Sequence, residues 1–535
     1  MSIDDEAREL RDAVAQVVNS NSKKKLVIAG PGAGKTFLFK RLLETQGGDP
    51  KRNLVITFVN NLRDDLEASL GGLARVFTLH GYCQFLLHQH EELREDLRVE
   101  FVCRPRLMSL IKSDWEWLQE THPPELVKLM RQLDLTADQY AFYLSRSNYY
   151  NAVDFDDSVY RVYNALSSKT GPVPEYDLVL IDEFQDFNKL EASVVGLLGD
   201  DNAIVVAGDD DQVLYSSLRQ ADSGHIRERH KAGVFDVFYL PFCMRCPKVI
   251  VDAVASIFQR ATAIGALQGR IDKPYRYCEL VKGEDSRANP QIDLVRASVQ
   301  RFALNYFGRY VEQYFKQIPP ADLEKASADN EPALLVIGSK PYLPQIEAYL
   351  VNSGLLETTP KLEKPQREEA LEILARDPES NLGWRIILAC GDAQIARNRV
   401  RTASANKVPL GAVFPDEERE TILSEAKAYV GMESAVLEKV VSKIKLTSFE
   451  GSKGLSAQHV FLVGVHESEL PRSATKIADL EICRFLVGLT RTKKKCTILN
   501  AYRFGDAIKN PSVFLSWIGS HRFNLVTVNA AYWKG

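Results

Sequence analysis

An apolar run that breaks into alternating glycines and ends in Lys-Thr leaves a chain few choices, and Leu26 to Thr36, LVIAGPGAGKT, is such a stretch. Leu26, Val27 and Ile28 read as a buried strand. Glycines at 30, 32 and 34, with Pro31 and Ala33 between them, let successive backbone N–H groups turn inward on an anion. The residues that follow, FLFKRLLE, are good helix formers at helical spacing, so the positive end of a helix dipole points at the same place. A strand, a phosphate-wrapping loop and a helix result. Lys35 then reaches the β- and γ-phosphates of a nucleotide, and the Thr36 hydroxyl is placed to ligate Mg²⁺. The expected nucleotide-binding set is Gly30, Pro31, Gly32, Ala33, Gly34, Lys35 and Thr36. Ala29 stands where GxxxxGK[ST] usually has its first glycine, and the competing interpretation is a glycine-rich turn beside a surface lysine.

Strand and helix alternate around this loop. Residues 5–19 read as a helix, NLVITFVNNLRDDL as a β-branched run breaking into a helix at Asn60–Asn61, and ARVFTLHGYC as a third strand. That alternation predicts a parallel doubly wound sheet with its site at the strand ends. From 87 to 149, aromatic residues and leucines at helical spacing predict a helical insertion. Tyr149 and Tyr150 at its end suit helix packing better than base stacking. The sheet resumes at EYDLVLIDEFQD, where Leu178 to Ile181 form a buried strand and Asp182 and Glu183 emerge at its end. Beside a phosphate loop, the first carboxylate holds Mg²⁺ and the second orients or deprotonates the attacking water. An acidic pair capping a surface strand is the plain alternative. A further buried strand, Ile204 to Ala207, leads into Gly208, three aspartates and Gln212. The glutamine can contact a terminal phosphate and a neighbouring segment; the aspartates read as a solvated loop or a metal decoy.

Residues 234–260 are expected to open a second α/β unit, with strand FDVFYL and helix PKVIVDAVASIF. IDLVRASVQ and PALLVIGSK add strands, with a polar loop over 319–332 between them. A charged, helical stretch over 357–439 predicts a second, short insertion, and the unit returns at IKLTSFEGSKGL. The predicted organisation is α/β: two doubly wound parallel-sheet domains, 1–86 with 150–233 and 234–356 with 440–535, each carrying a mainly helical insertion, 87–149 and 357–439.

A net charge of −4 over 535 residues means that any phosphate-binding surface is a local basic groove on a chain that is acidic elsewhere. The N-terminus, MSIDDEARELRDAV, is acidic and helical, unlike a signal peptide, and no apolar run is long enough to cross a bilayer, so the expected location is the cytoplasm. Of eight cysteines only Cys243 and Cys246 make a CxxC, with no second pair at zinc-ribbon spacing; buried free thiols are the better expectation.

Several of these segments, in order, resemble the UvrD/Rep/PcrA-like helicases of superfamily 1. AGPGAGKT is similar to their phosphate loop, ITFVNNLRDDL to TFTNxxAxxM, FTLHGYC to TFHSxC and VDFDD to DFDD. LIDEFQD is similar to DExQD, GDDDQVLY to GDDDQSIY, the arginine of YLPFCMRCPKVI to that of NYRS, EGSKGLSAQHVFLVG to SAKGLEFxxVF, and EICRFLVGLTRTKKK to ExRRLxYVAxTRA. The resemblance spans residues 29 to 495. It implies two RecA-like domains with ATP and Mg²⁺ in the cleft between them and single-stranded or tailed duplex DNA across the top. In that arrangement Lys35, Asp182, Glu183, Gln212, Arg245 and Arg491 are catalytic, Gly454 also meets the nucleotide, and Thr36 and Asp182 hold the metal. Phe58, Asn60, His80 and Tyr215 touch the strand. Arg245 and Arg491 lie beyond the first sheet, so they reach the γ-phosphate only when a second domain closes on it. Arg491 read alone is a surface arginine beside Lys493–Lys495.

The implied activity is ATP-driven movement 3′ to 5′ on single-stranded DNA, in repair or in anti-phage defence beside a separate nuclease. The alternative is a nucleic-acid-gated ATPase switch that regulates a partner without unwinding. A phosphate-loop kinase is a third reading that leaves the second lobe and Arg491 unexplained. Three departures stand out. Leu10 occupies the register of the family's adenine-reading glutamine. Ser217 or Leu218 replaces its stacking tryptophan, worth about 1–3 kcal/mol per base. Ser456 and Glu450 replace the carboxylate and histidine around KGLE.

Overall fold

Six runs, the four inner ones buried, build the first sheet: β1 Lys24–Ala29, β2 Asn53–Thr57, β3 Arg75–Thr78, β4 Leu178–Ile181, β5 Ile204–Gly208 and β6 Asp236–Leu240. All pair in parallel in the order β3-β2-β4-β5-β1-β6. The computed structural model describes residues 2–171, 173–297, 303–357, 366–429, 442–504, 507–529 and 532–533. A second sheet contains β7 Ile292–Ala297, β8 Leu334–Gly338, β9 Ile444–Thr447, β10 Ala457–Val463, β11 Thr492–Ala501 and β12 Phe523–Val528, again all parallel. Its order is β9-β8-β10-β11-β7-β12. Counted from the first strand of each sheet, the two orders are the same, so the chain is two RecA-like α/β lobes. Helices cover both faces of each sheet, which is why the strands read as continuous apolar runs rather than as alternating ones.

Three neighbouring strands of the first sheet, β4, β5 and β1, carry the features that the sequence singled out. Their C-terminal ends place the acidic pair, the Asp-rich turn and the phosphate loop side by side. Local chemistry fixes the helices after them. Gly34 starts the helix Lys35–Gln46 at φ +88°, a left-handed conformation that favours glycine. Asn188 caps Lys189–Asp201 in a reciprocal box with Glu191.

Two expectations need correction. FDVFYL, expected to open the second unit, is β6 of the first sheet, in register with β1 from Lys25 opposite Asp236 to Ala29 opposite Leu240. An apolar run announces a strand but not its sheet, and here the free edge of β1 takes it. The crossover between lobes therefore follows Leu240 rather than residue 233. The polar stretch 319–332 is not a loop throughout, because Pro320–Ala328 is helical. Pro320 supplies a preset first-turn φ, and Ala, Leu, Glu and Lys follow it.

The insertions are helical as expected: Leu107–Gln119, Leu126–Gln132 and Ala137–Tyr150 in the first, and Gln366–Arg376, Asn381–Ala389, Ala393–Asn406 and Asp416–Tyr429 in the second. Residues 358–365 and 430–441, the ends of the expected second insertion, lie outside the described residues. The two insertions share a core with one face of the first sheet. At its centre the Asp114 carboxylate accepts from Arg146 Nε (2.8 Å), the Tyr150 hydroxyl (2.5 Å) and, from the second insertion, Arg385 Nε (2.9 Å). Arg104 of the first insertion grips Glu369 of the second with both nitrogens (2.7 and 3.1 Å). Tyr149 packs here too, donating to the Val408 carbonyl (3.0 Å), so the tyrosine pair serves packing. Asp114 is fully buried, and removing it strands two buried guanidinium groups. Asp114→Ala is expected to cost about 3–5 kcal/mol, measured as the loss in denaturant midpoint at constant slope.

Candidate active site

One cleft of about 510 Å³ between the lobes is lined by every residue that the sequence assigned to the nucleotide: Gly30 to Thr36, Asp182, Glu183, Gln212, Arg245, Gly454 and Arg491. The phosphate loop supplies its floor. Gly32 sits at φ +71°, and a Cβ there would stand 2.5 Å from Arg245 Cβ; a Cβ on Gly30 would stand 2.6 Å from the Tyr275 ring. The glycines thus admit both an anion and chain from beyond β6. Met244 N donates to Gly32 O (2.9 Å), and the Tyr275 hydroxyl to Pro31 O (3.2 Å).

Lys35 Nζ bridges the acidic pair, 3.2 Å from Asp182 and 2.5 Å from Glu183. Burial works against its ammonium, yet the two carboxylates outweigh it and raise the pKa above the ordinary lysine value. The acids divide. Burial pushes both upward; at Glu183 the pull of Lys35, Lys453 and a Gln185 hydrogen bond wins and holds the carboxyl well below its usual range. At Asp182 burial wins, and the pKa rises. Glu183 also has φ +52°, a strained left-handed conformation for a non-glycine residue, at the turn that aims its carboxylate into the cleft.

The second lobe brings the arginines. Arg491, buried just before β11, donates through Nη2 to Gln212 Oε1 (3.1 Å) and through Nε to Val487 O (3.0 Å). Arg245 follows β6 and donates to Thr490 O (3.4 Å). Burial, and then Arg245, pull the Arg491 pKa down to about 10. Among the described residues neither arginine has a carboxylate at ion-pair distance, so the pair presents uncompensated positive charge to the cleft. Lys493 to Lys495, the neighbouring run expected to be solvated, all form ion pairs with carboxylates.

Sequence reasoning missed several residues here. Lys453 ion-pairs with Asp186 and lies 3.6 Å from Glu183, and it donates to Gln212 O (2.7 Å). Gln185 donates to Glu183 (2.5 Å) and accepts from Asp209 N (2.9 Å). Lys453 and Gln185 stand inside the quoted SKGL and DEFQD segments; their motif positions were the available signal. Met244 likewise stands inside the quoted YLPFCMRCPKVI segment, whereas nothing in the sequence marked Tyr275. Asp209, Asp210 and Asp211 converge closely enough to hold a cation, and the cation is Lys273, 2.7, 2.6 and 2.6 Å away.

The expected strand-binding residues form a separate group. Phe58 is buried with its ring 5.0 Å from Tyr215 and the Arg219 guanidinium 4.5 Å above it. His80 is buried beside Arg219 (3.1 Å) and Glu191 (3.5 Å), and burial followed by Arg219 lowers its pKa to about 4. Asn60 is exposed at the start of its helix. Tyr215 reaches across the lobes to Glu450 O (3.0 Å).

Two same-order parallel sheets with a phosphate loop in one and cationic side chains arriving from the other define a bilobed RecA-like α/β architecture. A family model described as the UvrD/REP helicase N-terminal domain matches residues 10–133 and 128–232. A probable DNA helicase II homolog of Mycoplasma genitalium is 20% identical over 96% of this chain and 88% of its own length. One from Mycoplasma capricolum is 26% identical over 40% of this chain and 36% of its own. DNA helicase II of Salmonella typhimurium is 25% identical over 38% and 34%. In these last two matches the chain spans about a third of the relative's length. Residues 10–232 are thus similar to the N-terminal domain of the UvrD/REP helicases.

Glu183→Gln keeps the size of the side chain and removes its charge. It is expected to cut hydrolysis by at least about a hundredfold while leaving binding of a fluorescent ATP analogue within threefold of wild type; appreciable residual turnover would sink the assignment of Glu183 as the group acting on water.

Proposed function

We propose that this protein hydrolyses ATP and couples each cycle to movement of its lobes along single-stranded DNA, 3′ to 5′. The observation that carries the reading is the meeting of Lys35 and the acidic pair from one lobe with Arg491 and Arg245 from the other, in one cleft. The buried Asp182 carboxylate, one of whose oxygens accepts no hydrogen bond, and the Thr36 hydroxyl line the same cleft; two such oxygen donors suit Mg²⁺, and these residues would hold it. When bound, the metal supplies charge neutralisation on the phosphate oxygens. Glu183, kept ionised, accepts a proton from the attacking water. Lys35 holds phosphate oxygens that gain charge, and the two arginines reach them only from the second lobe. Their loss of a partner after phosphate release reopens the cleft, which turns chemistry into displacement.

DNA as the track rests on the relatives' names and on the motif resemblance. Phe58, Asn60, His80 and Tyr215 are the strand contacts of this proposal. A second reading, an ATPase switch gated by nucleic acid, is favoured by the same region. Phe58 and His80 lie under Arg219, and the buried charges of Asp114 and Arg385 join the two insertions. A separate nuclease is the partner that the resemblance suggests, in repair or in anti-phage defence; co-purification of DNA-cleaving activity from the native host tests it.

Hydrolysis measured at low salt with and without single-stranded DNA decides first, because phosphate contacts weaken steeply with salt. Strong stimulation is expected, and its absence overturns the reading. Displacement of a strand from a 3′-tailed duplex then favours the motor, whereas stimulated hydrolysis without displacement favours the switch. Arg491→Ala is expected to lower the stimulated kcat by about a thousandfold with little change in DNA affinity, read by fluorescence anisotropy.

A further inference from the structure

Lys273 inserts its ammonium among three buried aspartates, only 3% of its side chain being exposed. The three do not depend on it equally. Asp210 also has Arg227 (2.9 Å) and the Ile271 amide (2.8 Å), and Asp211 has both nitrogens of Arg270 (3.0 and 2.8 Å). For Asp209, Lys273 is the one cationic partner among the described residues. Asp209 is also the carboxylate that holds Gln212, accepting from its Nε2 at 2.8 Å.

An ionised carboxylate only accepts hydrogen bonds, so it fixes which end of the glutamine amide faces it. With Nε2 turned to Asp209, Oε1 is turned to Arg491 Nη2. A neutral Asp209 can donate instead, and an amide reversed to receive that proton sets its NH₂ against a guanidinium. Burial favours the neutral acid. Lys273 opposes that, and it stands two residues before Tyr275, whose ring covers Gly30 of the phosphate loop.

We infer that Lys273 is a positioning residue for ATP hydrolysis: it keeps Asp209 ionised, so that Gln212 presents its carbonyl oxygen to Arg491 and holds that arginine at the cleft. The inference rests on the ATPase reading of the site. It gives the Asp-rich turn a task that metal binding does not supply.

The test is the single-strand-stimulated ATPase of Lys273→Met, Lys273→Arg, Gln212→Ala and the double variant Lys273→Met/Gln212→Ala. Lys273→Met is expected to lower kcat on the order of 10- to 100-fold, as for misplacement of a reacting group, with KM for ATP changed less than threefold. Lys273→Arg restores most of the rate. In the Gln212→Ala background, Lys273→Met is expected to cost no more than about twofold further, because both changes break one connection. Equal fractional losses in the two backgrounds, or a rise in KM with kcat intact, would overturn the inference. Should Lys273→Met fold poorly, the charge-balanced Asp209→Asn/Lys273→Met pair carries the test: an accepting carboxylate is still missing, so kcat is expected to stay at least tenfold low, and a wild-type rate would refute the role. Wild-type protein without ATPase activity would overturn the underlying reading and this one with it, whereas an active wild type with independent losses overturns this one alone.

Discussion

A guanidinium buried without a carboxylate partner is costly unless something in its surroundings uses the charge. Arg491 is in that position, and much of the molecule is arranged to keep it there. Its Nε is tied to the turn before β11, its Nη2 to a glutamine of the other lobe, and Arg245 beside it adds to the positive field. The first lobe answers with two carboxylates that Lys35 alone does not neutralise. The cleft is therefore a place where charge is deliberately unbalanced on both walls, and a polyanion with its counter-cation is the ligand chemistry that balances it.

The two lobes repeat one strand order, yet they contribute different chemistry. The first places loop, acids and glutamine on three neighbouring strands. The second contributes cations from the segments flanking β10 and β11. The insertions are joined away from the cleft by Asp114, Arg385 and Arg104, so besides their direct contacts the two lobes have a second, indirect connection through an arch of helices sharing one core with the first sheet. Any change in the angle between lobes has to be accommodated by that second connection.

The phosphate loop, Asp182, Glu183 and Gln212 were legible because each needs a particular residue type at the end of a strand, whereas Arg245 and Arg491 were legible only through the motif resemblance. The assignment of β6 was not, because edge strands carry no mark of the sheet they join. The helix at Pro320–Ala328 was hidden by its polarity, since an exposed helix with few apolar residues looks like a loop until its first-turn proline is weighed. Lys273 was invisible for a different reason. Its meaning lies in three aspartates some sixty residues earlier, and a lone lysine in DKPYRY carries nothing local that says it will be buried.

The phosphate loop is finished by backbone and side-chain groups more than 200 residues downstream, with Met244 bonded to Gly32 and Tyr275 to Pro31. β6, which closes the open edge of β1, also comes late. During synthesis on the ribosome, the nucleotide-binding loop is made early but waits for the chain to pass Tyr275 before its final shape has all its supports. Nascent chain that stops short of Leu240 carries an unpaired edge at β1, and chain that stops short of Tyr275 an uncovered glycine loop, so over this interval the growing protein exposes a strand edge open to aggregation.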